Sequence, residues 1–395
     1  MTVGIVIDID YPHPGEVRPR KLAKSLHQRG HRVVIICGRS GQNLPREVLD
    51  YATVYRFDYF LNSRFHKWIR PASPLNPFWV FWVAKILKKE QIDILVSSNI
   101  RAALPAILAC KMLRRPIILD LQENNAEAVR FRPKTRLMHY LTKNPFLVGI
   151  LERLCVRGSD HVWVVVEERL QTFSPALRAT GKITVVHHTP GLDELRPNQP
   201  SPPARDGAFT LIYVGLNAPG TGSVEIFLRA LPYVLERDKR VRVVLGGGRQ
   251  LEKLVQDLGI EDHVVFAGLI EPERLTEWLQ QGDVGIIGYH VNSFTNTTVS
   301  VKLFQYMAAG LPVLSTAMAP TRRIIEEVGC GVVIPPHSTP REVAEIILQL
   351  KHAPSERAAM ARKARPALLE KYNWEVDFSH ALACLERLVR RQSST

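Results

Sequence analysis

Two consecutive α/β domains, each a doubly wound parallel sheet, are what the 395-residue sequence predicts. Three observations predict it. Apolar runs of strand length alternate with helix-period segments almost from end to end, the pattern of parallel strands joined by crossover helices. A proline-rich stretch, Arg196-Pro-Asn-Gln-Pro-Ser-Pro-Pro-Ala-Arg-Asp-Gly207, interrupts the alternation, and its four prolines can neither continue a helix nor pair in a central strand. Beyond it the alternation restarts. The boundaries that follow are 1–195 for the first domain, 196–207 for a linker, 208–372 for the second domain, and 373–395 for a closing helix expected to pack back on the first. A composition of 46% hydrophobic and 23% charged residues suits two domains with a core each.

In the first domain, strands are expected near Val3 to Ile9, Arg32 to Cys37, Ile92 to Ser97, Pro116 to Asp120, Val162 to Val166 and Ile183 to His187. The clearest unit lies between the first two. Glu16 to Arg29 reads as a helix with Leu22 and Leu26 on one face, Gly30 stops it, and His31-Arg-Val-Val-Ile-Ile opens the next strand. The second domain repeats the scheme with strands at Thr210 to Gly215, Val241 to Leu245, Val264 to Ala267, Val284 to Ile287, Pro312 to Ser315 and Gly331 to Ile334. Helical segments from Pro340 to Leu388 close the chain, and no internal repeat or low-complexity tract interrupts it.

Several function classes lose support. No apolar run approaches the roughly 20 residues needed to span a bilayer, and the densest, Pro77 to Ala84, is far shorter. Val3-Gly-Ile-Val-Ile-Asp8 reads as a buried strand rather than a signal peptide, so a cytoplasmic location is expected. Cys37, Cys110, Cys155, Cys330 and Cys384 are scattered and odd in number, and read as reduced packing residues. His187-His188 lacks further ligands at metal spacing, and no serine sits in a Gly-x-Ser-x-Gly elbow. The formal net charge of +14 resides entirely in residues 1–205, the remainder being neutral. Such a domain favours an anionic partner, but no helix-turn-helix, zinc-finger or RNA-binding motif accompanies the charge, so no specific nucleic acid is expected.

The second domain opens with Leu211-Ile-Tyr-Val-Gly-Leu-Asn-Ala-Pro-Gly-Thr-Gly-Ser223 and then an amphipathic helix. A glycine-rich strand-to-helix turn lets backbone N–H groups approach phosphate oxygens. Its glycines, at 215, 220 and 222, do not make Gly-x-Gly-x-x-Gly, and Thr221 stands where a P-loop needs lysine. A plain turn remains the competing reading. Further on, a polar loop, Asn292-Ser-Phe-Thr-Asn-Thr-Thr298, leads to a helix from about Val299 to Gly310 and the strand that follows it.

Lys302-Leu-Phe-Gln-Tyr-Met-Ala-Ala-Gly-Leu-Pro-Val-Leu314 resembles the signature of family 4 retaining glycosyltransferases, Lys-Leu-x-Glu-x-Met-Ala-x-Gly-x-Pro-Val. Other segments agree in order: Pro14-Gly-Glu-Val-Arg-Pro-Arg20 with the helix after it, Val214-Gly, Leu245-Gly-Gly-Gly248, Val265-Phe-Ala-Gly-Leu269, and Gly329-Cys-Gly-Val-Val-Ile-Pro335. The resemblance implies a GT-B fold, two Rossmann-like doubly wound domains facing a central cleft. It implies transfer of a sugar from a nucleotide-diphosphate donor, with neither metal nor other cofactor. Donor contacts would come from Gly215, Asn217, Gly220, Thr221, Gly222, Thr297, Thr298 and Val299 at the diphosphate, Leu269 and Ile270 at the base, and Gln305 at the ribose. Lys302 and Gln305, three apart, share a helix face.

The departures from the family pattern are specific. The turn Leu216 to Gly222 lacks the usual Arg and Lys that counter the leaving diphosphate, and losing one such contact can cost about 3 kcal/mol of barrier. Lys302, Arg249 and Arg322 are the candidate substitutes. Thr297 and Gln305 stand where two carboxylates are usual, and the change to Gln weakens a ribose contact by about 1 to 2 kcal/mol. In the first domain, Ile117-Ile-Leu-Asp-Leu-Gln-Glu-Asn-Asn125 resembles the strand end that faces the sugar, making Asp120 and Glu123 the candidate catalytic residues. Helix capping is their competing reading. Gly15, Arg18 and Arg20, beside the first strand's exit, are the candidates for an acceptor phosphate.

Two basic, aromatic stretches account for the charge. Phe60 to Lys89 mixes Phe65, Trp68, Phe78, Trp79, Phe81 and Trp82 with six Lys and Arg, and Arg130 to Arg157 has Glu152 as its sole acid. Cations attract anionic headgroups while aromatic rings settle at the interface, so peripheral docking at the inner membrane face is expected. The whole reads as a glycosyltransferase acting on an anionic, lipid-linked or cell-surface glycan precursor. The alternatives are a catalytically impaired relative that serves as a binding or assembly protein, and a nucleotide-sugar epimerase.

Overall fold

The computed structural model describes residues 1–13, 17–39, 43–57, 76–131, 144–194, 207–215, 224–271 and 274–393. The chain divides into two compact units. The first comprises Met1–Arg130, Lys134–His188 and Asp377–Thr395, and the second Phe131–Pro133 and Thr189–Val376.

Among the described residues, the first unit holds an eight-stranded sheet ordered β3-β4-β2-β1-β5-β6-β7-β8. Its strands are β1 (Thr2–Val6), β2 (Arg32–Gly38), β3 (Arg46–Leu49), β4 (Ala52–Phe57), β5 (Ile94–Ser98), β6 (Ile117–Leu121), β7 (His161–Val164) and β8 (Ile183–Val185). All pairs are parallel except β3 with β4. The helices are α1 (Val17–Gln28), α2 (Pro77–Lys89), α3 (Ile100–Met112), α4 (Asn125–Phe131), α5 (Pro145–Gly158) and the short α6 (Pro175–Ala179). All six strands expected in this half are present. The β3–β4 hairpin is an addition that patterning did not predict. In β4, Ala-Thr-Val-Tyr-Arg-Phe, the apolar alternation ends at Arg56, whose side chain is buried because Asp10 and Glu47 neutralise it.

The second unit's sheet runs β11-β10-β9-β12-β13-β14, parallel throughout. Its strands are β9 (Phe209–Val214), β10 (Val241–Gly246), β11 (Val264–Gly268), β12 (Val284–Ile287), β13 (Val313–Thr316) and β14 (Gly331–Ile334). These are the six expected. Its helices are α7 (Glu225–Leu235), α8 (Glu252–Asp257), α9 (Leu275–Leu279), α10 (Val301–Ala309), α11 (Ala319–Val328), α12 (Pro340–His352) and α13 (Pro354–Glu370). A last helix, α14 (Trp374–Ser393), belongs to the first unit from Asp377 onward, where Cys384 Sγ lies 3.5 Å from His161 Nε2.

Each sheet is buried on both faces, as near-continuous runs such as Val33-Val-Ile-Ile-Cys37 require. Each unit has its own apolar core. The five cysteines are free and buried. Among the described residues, no helix is long and apolar enough to cross a membrane. The aromatic cluster of α2 divides: Trp79 is fully buried, edge-on to Phe57 at 5.5 Å, and Trp82 is half-buried, while Phe78 and Phe81 face outward. Phe65 and Trp68 lie outside the described residues.

In an open α/β sheet, ligands gather outside the carboxyl ends of the strands where strand order reverses. In the second unit the chain builds outward from β9 through β10 to β11, then returns to place β12 on β9's other side. The reversal therefore falls between β9 and β12. In the first unit it falls between β1 and β5.

Candidate functional site

At the second unit's reversal point stands the ammonium of Lys302. α10 follows a polar loop after β12 and carries Lys302 in its first turn. Its Nζ donates to the Tyr289 hydroxyl at 2.9 Å and lies 5.2 Å from the ring centroids of both Tyr213 and Tyr289. Gly215, the residue after β9, makes the room: a Cβ there would lie 2.6 Å from Lys302 Cε, and its φ of +133° favours glycine in any case.

Burial works against the lysine's charge, but the phenol oxygens of Tyr289 and Tyr213 outweigh it and hold the ammonium above its ordinary pKa. For Tyr289, burial pushes the phenol up and the nearby ammonium pulls it further down, leaving it below its usual value. Both directions describe a cation retained beside polarised phenols. Among the described residues no carboxylate forms an ion pair with Lys302. A desolvated cation without a counter-charge is a standing attractor for an anionic ligand.

Hydrogen bonds tie the surrounding elements together. Fully buried Tyr306 donates to the Ile286 carbonyl at 3.1 Å and accepts from the Val214 N–H at 3.3 Å, tying α10 to the ends of both β12 and β9. Thr316 clasps Tyr289, donating to its carbonyl at 3.0 Å and accepting from its N–H at 3.1 Å. Beyond Tyr289 opens a cavity of about 470 Å³ at the ends of β12, β13 and β14, lined in part by Glu225, Arg229, His290, Thr316, His337 and Ser338. Tyr306, Tyr289 and this cavity carry no motif by which spacing alone would find them.

The other donor candidates divide. Gln305 is half-buried one helical turn from Lys302. Leu269 is 82% exposed just past β11, an apolar side chain held open to solvent, with Ile270 half-buried beside it. Thr297 is turned inward, its hydroxyl donating to the carbonyls of Ser293 and Phe294. Thr298 is extended and half-buried, and Val299 is buried. Arg249 is largely exposed, paired with Glu252 at 3.2 Å and stacked over Phe266. Arg322 pairs with Glu326 at 2.7 Å. Asn217, Gly220, Thr221 and Gly222 lie outside the described residues, as does Gly15.

Two of the first unit's candidates meet each other. Arg18 and Asp120, both 2% exposed, form a bidentate pair at 2.8 and 2.9 Å, and the remaining Arg18 nitrogen donates to the carbonyls of Val186 and His187. Arg18, expected at an acceptor phosphate, and Asp120, expected at the sugar, form a buried clamp joining α1, β6 and the exit of β8, each supplying the other's counter-charge. Arg20 donates to the His13 carbonyl at 3.2 Å and is half-buried. Glu123 is half-buried past the end of β6 and remains the more accessible of the two carboxylates.

His187 sits between Asp377 at 2.9 Å and Glu167 at 3.1 Å. Burial opposes its charge, but the two carboxylates prevail and raise its pKa to about 9. Burial pushes the neighbouring His188 down to about 3, with Arg18 and Lys21 adding to the effect.

Comparison with known proteins follows the same division. Residues 15–193 match the family model described as Glycosyltransferase Family 4, and residues 208–352 match Glycosyl transferases group 1. A D-inositol 3-phosphate glycosyltransferase of Thermomonospora curvata is 30% identical over 170 residues, which cover 40% of this chain and 38% of the relative. The chain spans about two fifths of the length of the curated relatives it matches. Among solved structures, sucrose-phosphate synthase of Thermosynechococcus elongatus superposes with a TM-score of 0.74 at 14% identity, over 99% of both chains. HepE of Anabaena, in complex with UDP and glucose, gives 0.69 at 15% identity over 97% of this chain and 99% of its own. Both likenesses are of fold, two Rossmann-like domains of GT-B type.

Proposed function

From the premise that the chain belongs to the family 4 glycosyltransferases, we propose that it transfers a sugar from a nucleotide-diphosphate donor to a lipid-linked or cell-surface glycan precursor, with retention at the anomeric carbon. The observation that carries this reading is Lys302, a desolvated ammonium at the reversal point of the second sheet, between two tyrosines and beside an open cavity. A nucleotide donor is in keeping with HepE, which was crystallised with UDP and with UDP-glucose.

The donor diphosphate lies over Gly215 and the amino end of α10, whose positive dipole end adds to the Lys302 charge. Negative charge grows on the leaving diphosphate as the glycosidic bond breaks, and a fixed cation there lowers the barrier without reorganisation. Lys302 thereby replaces the cations absent from Leu216 to Gly222. Leu269 and Ile270 cover the base and Gln305 meets the ribose. The acceptor hydroxyl attacks from the face the leaving group departs, and a diphosphate oxygen takes its proton, so no enzyme nucleophile is needed. The positive field comes from the chain, and the reading calls for no metal or other cofactor. Glu123 orients donor or acceptor, while Arg18 and Asp120 act as positioning residues. The setting is cytoplasmic, peripheral at the inner membrane face.

A second reading is a donor-binding relative without transfer activity. It is favoured by Thr297, whose hydroxyl is spent on its own turn, and by the neutral Gln305. A screen of nucleotide sugars for hydrolysis and for transfer to lipid-phosphate acceptors separates the two. Turnover of one donor supports transfer. Tight binding with no turnover of any donor, with or without acceptor, supports the second reading, and product formed without acceptor would point to an epimerase.

A further inference from the structure

On the first unit, α3 packs between α2 and α5, and the inward faces of all three fill the core. Their outward face is unusual in composition. Phe78 and Phe81 of α2 are 69% and 63% exposed, Phe146 of α5 is 68% exposed, and Leu108, Met112, Leu147 and Leu154 are also exposed. Interleaved with them are the exposed cations Lys85, Lys88 and Lys89 of α2, Lys111 of α3, and Arg153 and Arg157 of α5. The three helices contain one acid, Glu152, which is buried and paired with Arg169. A merely solvated helix face mixes both signs of charge and few large apolar groups. This one has bulky apolar groups and one sign.

The arrangement is also directional. α2 and α5 begin alike, with Asn76-Pro-Phe78 and Asn144-Pro-Phe146, each asparagine side chain accepting from the N–H groups of the first turn. Each of the three helices leads directly into the next parallel strand, β5, β6 or β7, so all start at the sheet's carboxyl edge. The phenylalanines of α2 and α5 therefore sit at that edge, and the cations of both helices follow toward their carboxyl ends. α3 contributes Leu108 and Met112 between them, although neither basic, aromatic stretch of the sequence includes it.

We propose that this three-helix face docks on an anionic phospholipid surface, with Phe78, Phe81, Phe146 and Leu147 entering the headgroup boundary and Lys85, Lys88, Arg153 and Arg157 meeting lipid phosphates. Large apolar side chains are what an interfacial helix needs and what a purely electrostatic nucleic-acid surface does not. The proposal rests on the sugar-transfer reading for its purpose, since it brings the first unit's carboxyl edge against the membrane that holds a lipid-linked acceptor.

The test is sedimentation of the full chain with vesicles of phosphatidylglycerol and phosphatidylcholine, against phosphatidylcholine alone, at low and high salt. Binding to the anionic vesicles is expected, weakened by salt. Each near-surface cation is worth about a fivefold change in partition, so Lys85→Glu/Arg153→Glu should bind at least about tenfold more weakly. Phe78→Ser/Phe146→Ser should lose the binding that survives salt. Lys239→Glu/Lys253→Glu, on exposed positions of the second unit, should bind as the parent does. Equal binding to neutral vesicles, an equal loss in that control, or unchanged binding of both helix-face variants overturns the proposal. The assay contains no sugar nucleotide. Vesicle binding without donor turnover would thus sink the transfer reading alone, and turnover on a soluble acceptor without vesicle binding would sink the docking face alone.

Discussion

The carboxyl edges of the two sheets treat buried charge in opposite ways. On the first unit, Arg18 has met Asp120, Arg56 has met Asp10 and Glu47, and His187 has met both Asp377 and Glu167. On the second, among the described residues, Lys302 has met only phenol oxygens. A buried cation with a carboxylate partner is spent on the architecture: it joins α1, β6 and the exit of β8, or fastens β4 to the loop after β1. A half-buried ammonium among phenols keeps its charge available. The contrast separates residues that hold the protein together from a residue that the proposed function assigns to an anionic donor, although all are basic side chains near a strand end.

The contrast breaks most readily at Arg18. If the pair is architectural, Arg18→Met leaves the Asp120 carboxylate buried without a counter-charge and should cost about 3 to 5 kcal/mol, read from chemical denaturation. Arg18→Met/Asp120→Leu should recover most of that loss. A mild effect on stability with a large effect on acceptor binding would return Arg18 to the phosphate-binding role its position suggested.

His187 sharpens the same side of the comparison. Its folded pKa of about 9 lies above the ordinary 6.5, so the folded protein binds the extra proton more tightly. The stabilisation is fully present below about pH 6.5 and is lost as pH rises through about 9, on the order of 3 kcal/mol in all. Stability against denaturant should fall across that window, and His187→Gln should flatten the slope. A slope that persists in His187→Gln would assign the titration elsewhere.

On the second unit the smallest expected effect comes from Gln305. Gln305→Glu restores a charged acceptor one turn from Lys302 and should tighten nucleotide-sugar binding by about five- to tenfold, the difference between neutral and charge-assisted hydrogen bonds. Thermal shift in the presence of donor measures it. Unchanged affinity would remove Gln305 from the ribose.

How much of this was legible in the sequence depended on how far apart the cooperating residues lie along the chain. The twelve strands expected from apolar runs are present because a parallel sheet buried on both faces writes itself as local Val- and Ile-rich segments. The β3–β4 hairpin was not legible, since Arg56 occupies an inward position that patterning reserves for apolar residues, and its partner Asp10 lies 46 residues away. Lys302 was legible from helical spacing and resemblance. Its two tyrosine neighbours were not: Tyr213 and Tyr289 come from separate segments that only the sheet order brings together. That Arg18 and Asp120, 102 residues apart, neutralise each other was not legible either, because nothing local shows it. The same holds for the Thr297 hydroxyl, which donates to carbonyls of its own turn.

The most direct test of the contrast is calorimetric titration of the full chain and of Lys302→Met with nucleotide-diphosphate sugars, alongside thermal denaturation of both. If Lys302 is held for an anionic ligand, donor affinity falls about ten- to hundredfold in Lys302→Met, while stability without ligand is unchanged or higher because a half-buried cation without a carboxylate partner has been removed. Unchanged donor affinity in Lys302→Met, or a loss of stability as large as that of Arg18→Met, would contradict it: Lys302 would then be one more structural cation, and the two edges would not differ.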